Sequence, residues 1–240
     1  TAAERWKVKL DDGTSVFVKM GTTPLTSTAL RLENSSYDLI RGDFIAKKMA
    51  WQDDANHPVL IIEDLSHYYW PPPWTKKHIN SVLNALTNLH NQSGSLKTFA
   101  EVHTDLYPGW LAVKDNPAEF LSLGLVSKKW LEDALPILID FESRAQTAGD
   151  SITHWDIRSD NICLSDERAI LIDWNEACLA NPQLDLGFWL PSLHAEGGPP
   201  PEEFLPHAPE IAAWVSGFFA ARAGLPIIPD APREIGRAHV

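Results

Sequence analysis

Residues 153–162 read THWDIRSDNI, and the apolar run AILIDWNEA follows at 169–177. Together they carry a carboxylate at Asp156, an amide at Asn161 and a second carboxylate at Asp173. The polar stretch has the periodicity of neither a core strand nor an amphipathic helix. One chemistry suits these residue types: moving a phosphoryl group from a nucleoside triphosphate to a hydroxyl. The triphosphate needs Mg2+, which takes oxygen ligands and keeps some of its waters. The acceptor hydroxyl needs a carboxylate to position it and take its proton. Little covalent work is left for the protein, so placement and charge stabilisation dominate. A minimal set is a basic carboxylate, an amide, a metal-binding carboxylate and a lysine, and Asp156, Asn161, Asp173 and Lys19 match it by type.

The spacing agrees. Protein-kinase catalytic loops read H-R-D-x-x-x-x-N, with Asp as base and Asn on the metal, and a later Asp-Phe-Gly supplies another metal ligand. Here His154-Trp155-Asp156 is followed by Asn161, and Asp173-Trp174 comes later. This order, with Arg158 two residues after Asp156, resembles the aminoglycoside phosphotransferase-like family, the small-molecule kinases of the protein-kinase-like superfamily. The resemblance covers nearly the whole chain. It implies ATP and Mg2+ as cofactors, Asp156 as base in a catalytic loop with His154 and Arg158, and Asn161 and Asp173 on the metal. VFVKM resembles the strand carrying the ATP-binding lysine, at Lys19, and Glu33 the glutamate that pairs with it. VLIIEDL resembles the hinge, where backbone groups near Glu63 and Leu65 would meet adenine. NALTNLH resembles the family's helix ending in Leu-His. PQLDLGFWL resembles its D-P-x-x-D-L-A segment, in which Asp185 would brace the catalytic loop, with Trp174 as packing support.

Plainer readings stand beside these. Asp156 and Asn161 could simply make turns, which Asx residues favour. Lys19 could be a solvated strand lysine, although alternation sets Phe17 and Lys19 on one face and Val16 and Val18 on the other. Glu33 could be a helix-surface acid. His154 reads more readily as a hydrogen-bonded structural residue than as a base. Arg158 could pair with Asp156, with Asp160 or with phosphate. A lone H-x-D-x-x-x-x-N is weak; in order with the lysine strand, the hinge and Asp-Trp it is specific. Asn175 stands where protein kinases have glycine, and no Ala-Pro-Glu segment occurs, which favours the small-molecule branch. The glycine-rich loop expected before the first hairpin is not in the sequence. A degenerate kinase-like module that holds nucleotide or a partner is the alternative.

The acceptor implied is a small molecule with a hydroxyl, an aminoglycoside-type antibiotic among others. A polycation would need several carboxylates, and Glu119, Glu132, Asp133, Asp140, Glu142, Glu196, Glu202 and Glu203 are available, mostly as expected surface charges. Trp189, Trp214 and Phe218 could form a cation–π wall, though core packing is the simpler role.

Elements must hold these residues in place. RWKVKL and TSVFVKM flank DDG and predict a hairpin. Apolar spacing predicts a helix over 28–40, and strands are expected at 44–50 and 58–65. YYWPPPW ends this β-rich part, because prolines remove donors and fix φ. Thr75 precedes a stripe of Ile79, Val82, Leu83, Leu86 and Leu89. Ser127 caps a second helix with Trp130, Leu131, Leu135, Leu138 and Phe141 on its apolar side and a kink expected at Pro136. NICL and RAILID read as short strands around SDE, and 182–194 and 202–224 as helices. The expected fold is α+β and two-lobed: a small antiparallel β lobe with one helix over 1–66, and a larger, mainly helical lobe over 67–233. EIGRAHV at 234–240 lacks periodicity and can be back-translated into a sequencing-adapter sequence, so a non-native tail is expected there and truncation at both ends.

Composition limits the partners. The chain has 240 residues, is 44% hydrophobic and carries a net charge of −12, which suits a globular protein and disfavours a nucleic-acid binder. No apolar run approaches the ~18 residues of a membrane span. Two cysteines and no C-x-x-C make no disulfide framework, so a reducing cytoplasm is expected.

Overall fold

The computed structural model describes residues 3–165 and 168–225. The expected tail at 234–240 lies outside them. The first hairpin forms as β1 (Glu4–Lys9) and β2 (Ser15–Met20), antiparallel across a turn in which Gly13 has φ +86, a conformation that glycine adopts without strain. β2 pairs with β4 (Val59–Glu63), and β4 with β3 (Lys48–Gln52), giving the antiparallel order β1-β2-β4-β3. All six residues of β1 are exposed at the sheet edge.

The helix α1 (Pro24–Leu39) starts before the apolar pattern does. Thr23 and Thr26 form a reciprocal capping box, and Pro24 occupies the first turn, where its missing N–H costs nothing. The strand expected at 44–50 is displaced and begins at Lys48. Phe44 and Ala46 are buried in the main core, and Ile45 bridges Leu171, so this apolar stretch packs against the later part of the chain and only then joins the sheet.

Helices follow. α2 (Lys76–His90) is capped by Thr75, whose hydroxyl accepts from His78 N, and buries Ile79, Val82, Ala85, Leu86 and Leu89 as its stripe predicts. Three short helices were not legible: α3 (Phe99–Val102), α4 (Gly109–Asp115) and α5 (Ala118–Ser122). α6 (Lys128–Arg144) is capped by Ser127 and is continuous through Pro136. Its expected apolar side is only partly right. Leu131 is buried, Leu135 and Leu138 are partly so, and Trp130 is 46% exposed. The buried acid is Glu142, which accepts from the N–H groups of Gly109 and Trp110 at 2.7 and 3.0 Å and so caps α4, whose own N-cap, Pro108, has no side chain to do so.

Two small antiparallel ladders frame the polar stretch. β5 (Ser151–Thr153) pairs with β8 (Cys178–Ala180), and β6 (Ile162–Leu164) with β7 (Ala169–Leu171). α7 (Gln183–Ala195) follows. α8 runs only over Pro209–Ala220, because the stretch before it is a 3-10 turn at Pro201–Glu203 and Pro209 opens the helix. One apolar cluster joins Leu30 of α1, Leu60 of β4, Leu86 of α2, Ile162 of β6 and Leu190 of α7. Sheet and helical bundle thus share a core, in a mixed α+β fold. Among the described residues no helix is long and apolar enough to cross a membrane.

α4 and α8 meet through glycine. A Cβ on Gly109 would lie 2.0 Å from the Gly217 carbonyl oxygen, a backbone atom that cannot turn aside. Gly109→Ala is therefore expected to destabilise the protein by about 1–3 kcal/mol through overpacking. A helical Gly→Ala change with free space stabilises by roughly 1 kcal/mol. Urea unfolding reads the sign directly, and a more stable variant would contradict the close crossing.

Candidate active site

Lys19 lies in β2 and is buried, 3% exposed. Its ammonium donates to both Glu33 oxygens at 2.8 and 2.9 Å and to Asp173 Oδ1 at 2.8 Å. Three residues from β2, α1 and the turn after β7 are thus held in one buried cluster, and Glu33 is no surface acid, at 2% exposed. Burial opposes the charge of Lys19, but Glu33 and Asp173 outweigh it and raise its pKa. Burial would raise Asp173 as well, yet the Lys19 ammonium, by charge and hydrogen bond, holds it below the usual carboxylate range.

Asp173 is placed by its backbone. It adopts a left-handed conformation, φ +70 and ψ +57, between β7 and a 3-10 turn at Trp174–Glu176. Trp174 is fully buried, donates Nε1 to Leu171 O at 3.0 Å, and its carbonyl accepts from Ser36 Oγ of α1 at 3.0 Å. The turn that aims Asp173 is thereby fastened to the helix that carries Glu33.

The polar stretch runs from β5 to β6, so both its ends are fixed by ladders. Asp156 Oδ2 accepts from Asn161 Nδ2 at 2.9 Å, and so does the Asp156 carbonyl. Ile172 N donates to Asn161 O at 3.0 Å, tying Asn161 to the strand that leads into Asp173. The Arg158 guanidinium lies 3.2 Å from carboxylate oxygens of both Asp156 and Asp160, so it serves two of the partners the sequence left open. Burial raises the pKa of Asp156 to about 6; Arg158 counters it, and Asp173 and Asp160 add to it.

His154 is not available as a base. It is fully buried, its Nδ1 accepts from Asp156 N at 3.3 Å, and its Nε2 lies 2.9 Å from Ile172 O, which fits a neutral ring with the proton on Nε2. Burial lowers its pKa, in keeping with that neutral form. Its inclusion among the catalytic candidates is corrected to a positioning role. Asp185 in α7 is completely buried and accepts from His154 N at 3.0 Å, Trp155 N at 2.7 Å and the His90 ring at 2.8 Å. The helix ending in Leu-His and the D-L segment therefore meet on the backbone of the polar stretch.

The hinge differs from expectation in one respect. Glu63 N donates to Lys47 O within the sheet and is not available to a ligand. Leu65 N–H makes no hydrogen bond among the described residues, while its carbonyl accepts from Tyr68 N and Trp70 Nε1. Asp64 steadies the segment, accepting from Lys7, Ser15 and Ser66 N.

The oxygen set suits a hard divalent cation. Asn161 spends its NH2 on Asp156, which leaves its carbonyl oxygen, and Asp173 Oδ2 is not engaged by Lys19. Among the described residues no three His, Cys, Asp or Glu side chains gather into a metal cluster. Mg2+ bound with nucleotide needs few protein ligands, since phosphate and water supply the rest.

Five of the eight acids that a polycation could use are already engaged with other groups of the protein. Glu132, Asp133 and Asp140 pair along α6 with Lys128, Lys129 and Arg144. Glu142 is buried under α4, and Glu196 accepts from Trp74 Nε1 and Ser159 Oγ. Trp189 is core, whereas Trp214 and Phe218 belong to an aromatic cluster around Trp155. That cluster and the Glu196 contacts were missed in the sequence.

This fold is shared with solved phosphotransferases. A thermostable mutant of aminoglycoside phosphotransferase APH(4)-Ia, in ternary complex with AMP-PNP and hygromycin B, has TM-score 0.57 at 10% identity, over 91% of this chain and 85% of that one. A macrolide 2'-phosphotransferase type I gives 0.51 at 17% identity, over 99% and 86%. Macrolide 2'-phosphotransferase MphH from Brachybacterium faecium gives 0.50 at 14%, over 92% and 81%. At these identities the likeness is one of fold. No curated protein matches the sequence significantly. The family model described as the phosphotransferase enzyme family matches residues 63–217, which takes in the hinge, the polar stretch, Asp173 and Asp185, and the chain belongs to that family.

Proposed function

We propose that this protein is an ATP- and Mg2+-dependent phosphotransferase that moves the γ-phosphoryl group to a hydroxyl of a small molecule. The observation that carries this reading is the buried Lys19 ammonium held at 2.8 Å by both Glu33 and Asp173, beside the Asp156–Asn161 pair. In this reading residues 1–66 form the nucleotide-holding lobe and 67–233 the catalytic and acceptor lobe. Lys19, fixed by Glu33, offers a point charge to phosphate oxygens. Leu65 N–H is the backbone donor left for adenine. Asn161 and Asp173 would hold Mg2+, which neutralises charge on the phosphates.

Asp156 does the proton work. It orients the acceptor hydroxyl and takes its proton as the hydroxyl oxygen bonds to the γ-phosphorus. The bond from that phosphorus to the bridging oxygen breaks, and ADP leaves with the electron pair. Arg158 steadies the Asp156 carboxylate. The relatives named above act on aminoglycosides or macrolides, and both classes belong in the acceptor search. The engaged acids favour an acceptor with few amines over a polycation such as an aminoglycoside. Cys163 and Cys178 are buried free thiols, which suits the expected reducing cytoplasm.

Four measurements test the reading. ATP consumption across a panel of hydroxylated metabolites and antibiotics is expected to depend on both acceptor and Mg2+; nucleotide binding without turnover on any acceptor would support the non-catalytic alternative. With an active acceptor, Asp156→Asn is expected to lower kcat by about 10²–10⁴ while ATP affinity stays within about twofold. The base must be ionised to accept a proton, so kcat/KM should fall tenfold per unit as pH drops below about 6, the value to which burial raises Asp156. A flat profile from pH 7 to 5 would remove Asp156 from the base role. Finally, Asp173→Asn should weaken the Mg2+ dependence of nucleotide binding more than Asn161→Ala does, because only Asp173 carries a formal charge. Calorimetric titration of Mg2+–nucleotide reads this, and unchanged metal dependence in Asp173→Asn would exclude it as a ligand.

A further inference from the structure

Trp155 precedes the candidate base and has φ +68, a left-handed conformation that is unusual for a bulky residue. Two kinds of contact hold it there. Its N–H donates to Asp185 at 2.7 Å, as described above. Its ring, 7% exposed, is enclosed by five others. Ring centroids lie at 4.8 Å for Phe99 and 4.5 Å for His103, at the end of α3. They lie at 4.6 Å for Phe188 of α7, and at 5.6 and 5.9 Å for Trp214 and Phe218 of α8. Most of these pairs are edge-to-face or tilted, the arrangement that ring quadrupoles favour. Asp185 and Phe188 are three residues apart on α7, so one helix face grips both the backbone and the ring of Trp155.

We infer that Trp155 is a positioning residue: its ring, seated in this aromatic socket, holds the left-handed turn that aims the Asp156 carboxylate, and Trp214 of α8 acts on the catalytic loop through it. The inference rests on the phosphotransferase reading for its catalytic consequence, but not for its structural one. A ring of this size cannot move without displacing three helices' worth of packed aromatics. The chain direction at Asp156 is therefore set from the helical bundle as well as by hydrogen bonds. Sub-ångström to ångström shifts of a base from its acceptor can cost about 10²-fold in rate.

The socket and the backbone can be separated by substitution. Trp155→Gly keeps the preference for positive φ and removes the ring. Trp155→Phe keeps a smaller ring. Trp214→Leu leaves Trp155 in place and removes one wall. Two readouts are taken on the full chain: kcat and KM for ATP with an active acceptor, and hydrogen exchange of the peptide spanning residues 153–161, where the His154 and Trp155 amides are held by Asp185. Expected results are a fall in kcat of about 10- to 100-fold for Trp155→Gly and a smaller one for Trp214→Leu, with KM for ATP within about twofold. The 153–161 peptide should lose protection in both, while the peptides of β2 and β4 keep theirs. Trp155→Phe should restore most of both signals. If Trp155→Gly and Trp214→Leu match the wild type in exchange and in kcat, the left-handed backbone alone suffices and the inference is overturned. Should no acceptor ever be phosphorylated, the exchange comparison still decides the socket, and that failure belongs to the phosphotransferase reading. Should Trp155→Gly fail to fold, Trp214→Leu against Trp155→Phe carries the same comparison.

Discussion

A buried ammonium between two carboxylates organises this molecule. Taking Lys19 out of water is costly unless its charge is matched and its hydrogen bonds are made. Glu33 and Asp173 meet that requirement from opposite directions, one from the helix packed on the sheet and one from the turn after β7. Loss of either carboxylate would leave the buried ammonium with a single partner and with fewer of its hydrogen bonds made. The sheet, α1 and the 173–176 turn are consequently held in one arrangement. Ser36 bound to the Trp174 carbonyl and the packing of Phe44 against Trp174 reinforce the joint. One positive charge against two negative ones leaves the cluster net negative, which is the electrostatic setting a metal ion would enter.

Around that joint the polar stretch is fixed by the backbone more than by side chains. Two residues sit in the left-handed region, Trp155 and Asp173, and each is followed or flanked by short ladders and turns that prevent relaxation. Asp185 is the central acceptor, because three donors from two segments converge on one carboxylate that has no access to water. Strained conformations of this sort persist only where the surroundings over-determine them.

Much of this was legible in the sequence. The polar residue types and their spacing pointed to Asp156, Asn161 and Asp173, and the capped stripe of α2 appeared as expected, since Thr75 and the 3.6-residue period are local signals. Other features depend on tertiary context that a linear pattern does not carry. The stretch 44–47 alternates like a strand because Phe44 and Ala46 bury against the bundle, and only the residues after it pair. Strands of three residues, such as β5 and β8, are too short to show a period. Glu142 reads as a surface acid in a charged helix, yet it caps α4, some thirty residues earlier in the chain. The motif placed His154 in the catalytic loop while its type favoured a hydrogen-bonded structural role, and the two partners of its buried ring could not be read from the sequence. The aromatic socket had a partial signal, since Trp214 and Phe218 are one helical turn apart, but its other walls come from distant segments.

The same charges that lock the fold also set the chemistry of the loop. Asp156 is raised by burial first, and then by Asp173 and Asp160, so the carboxylate that anchors Lys19 makes its neighbour more basic. Arg158 works against this from between Asp156 and Asp160, which keeps the pKa from climbing further. Asn161 bonds to Asp156 with its NH2, favouring the ionised form, and thereby turns its carbonyl oxygen away from that carboxylate. A carboxylate with a raised pKa, a fixed cation and two oxygens left unengaged by these bonds are then consequences of one electrostatic arrangement. Removing Asp173 would cost Lys19 one of its two partners and lower the basicity of Asp156 together, so the joint and the polar loop are coupled through one carboxylate.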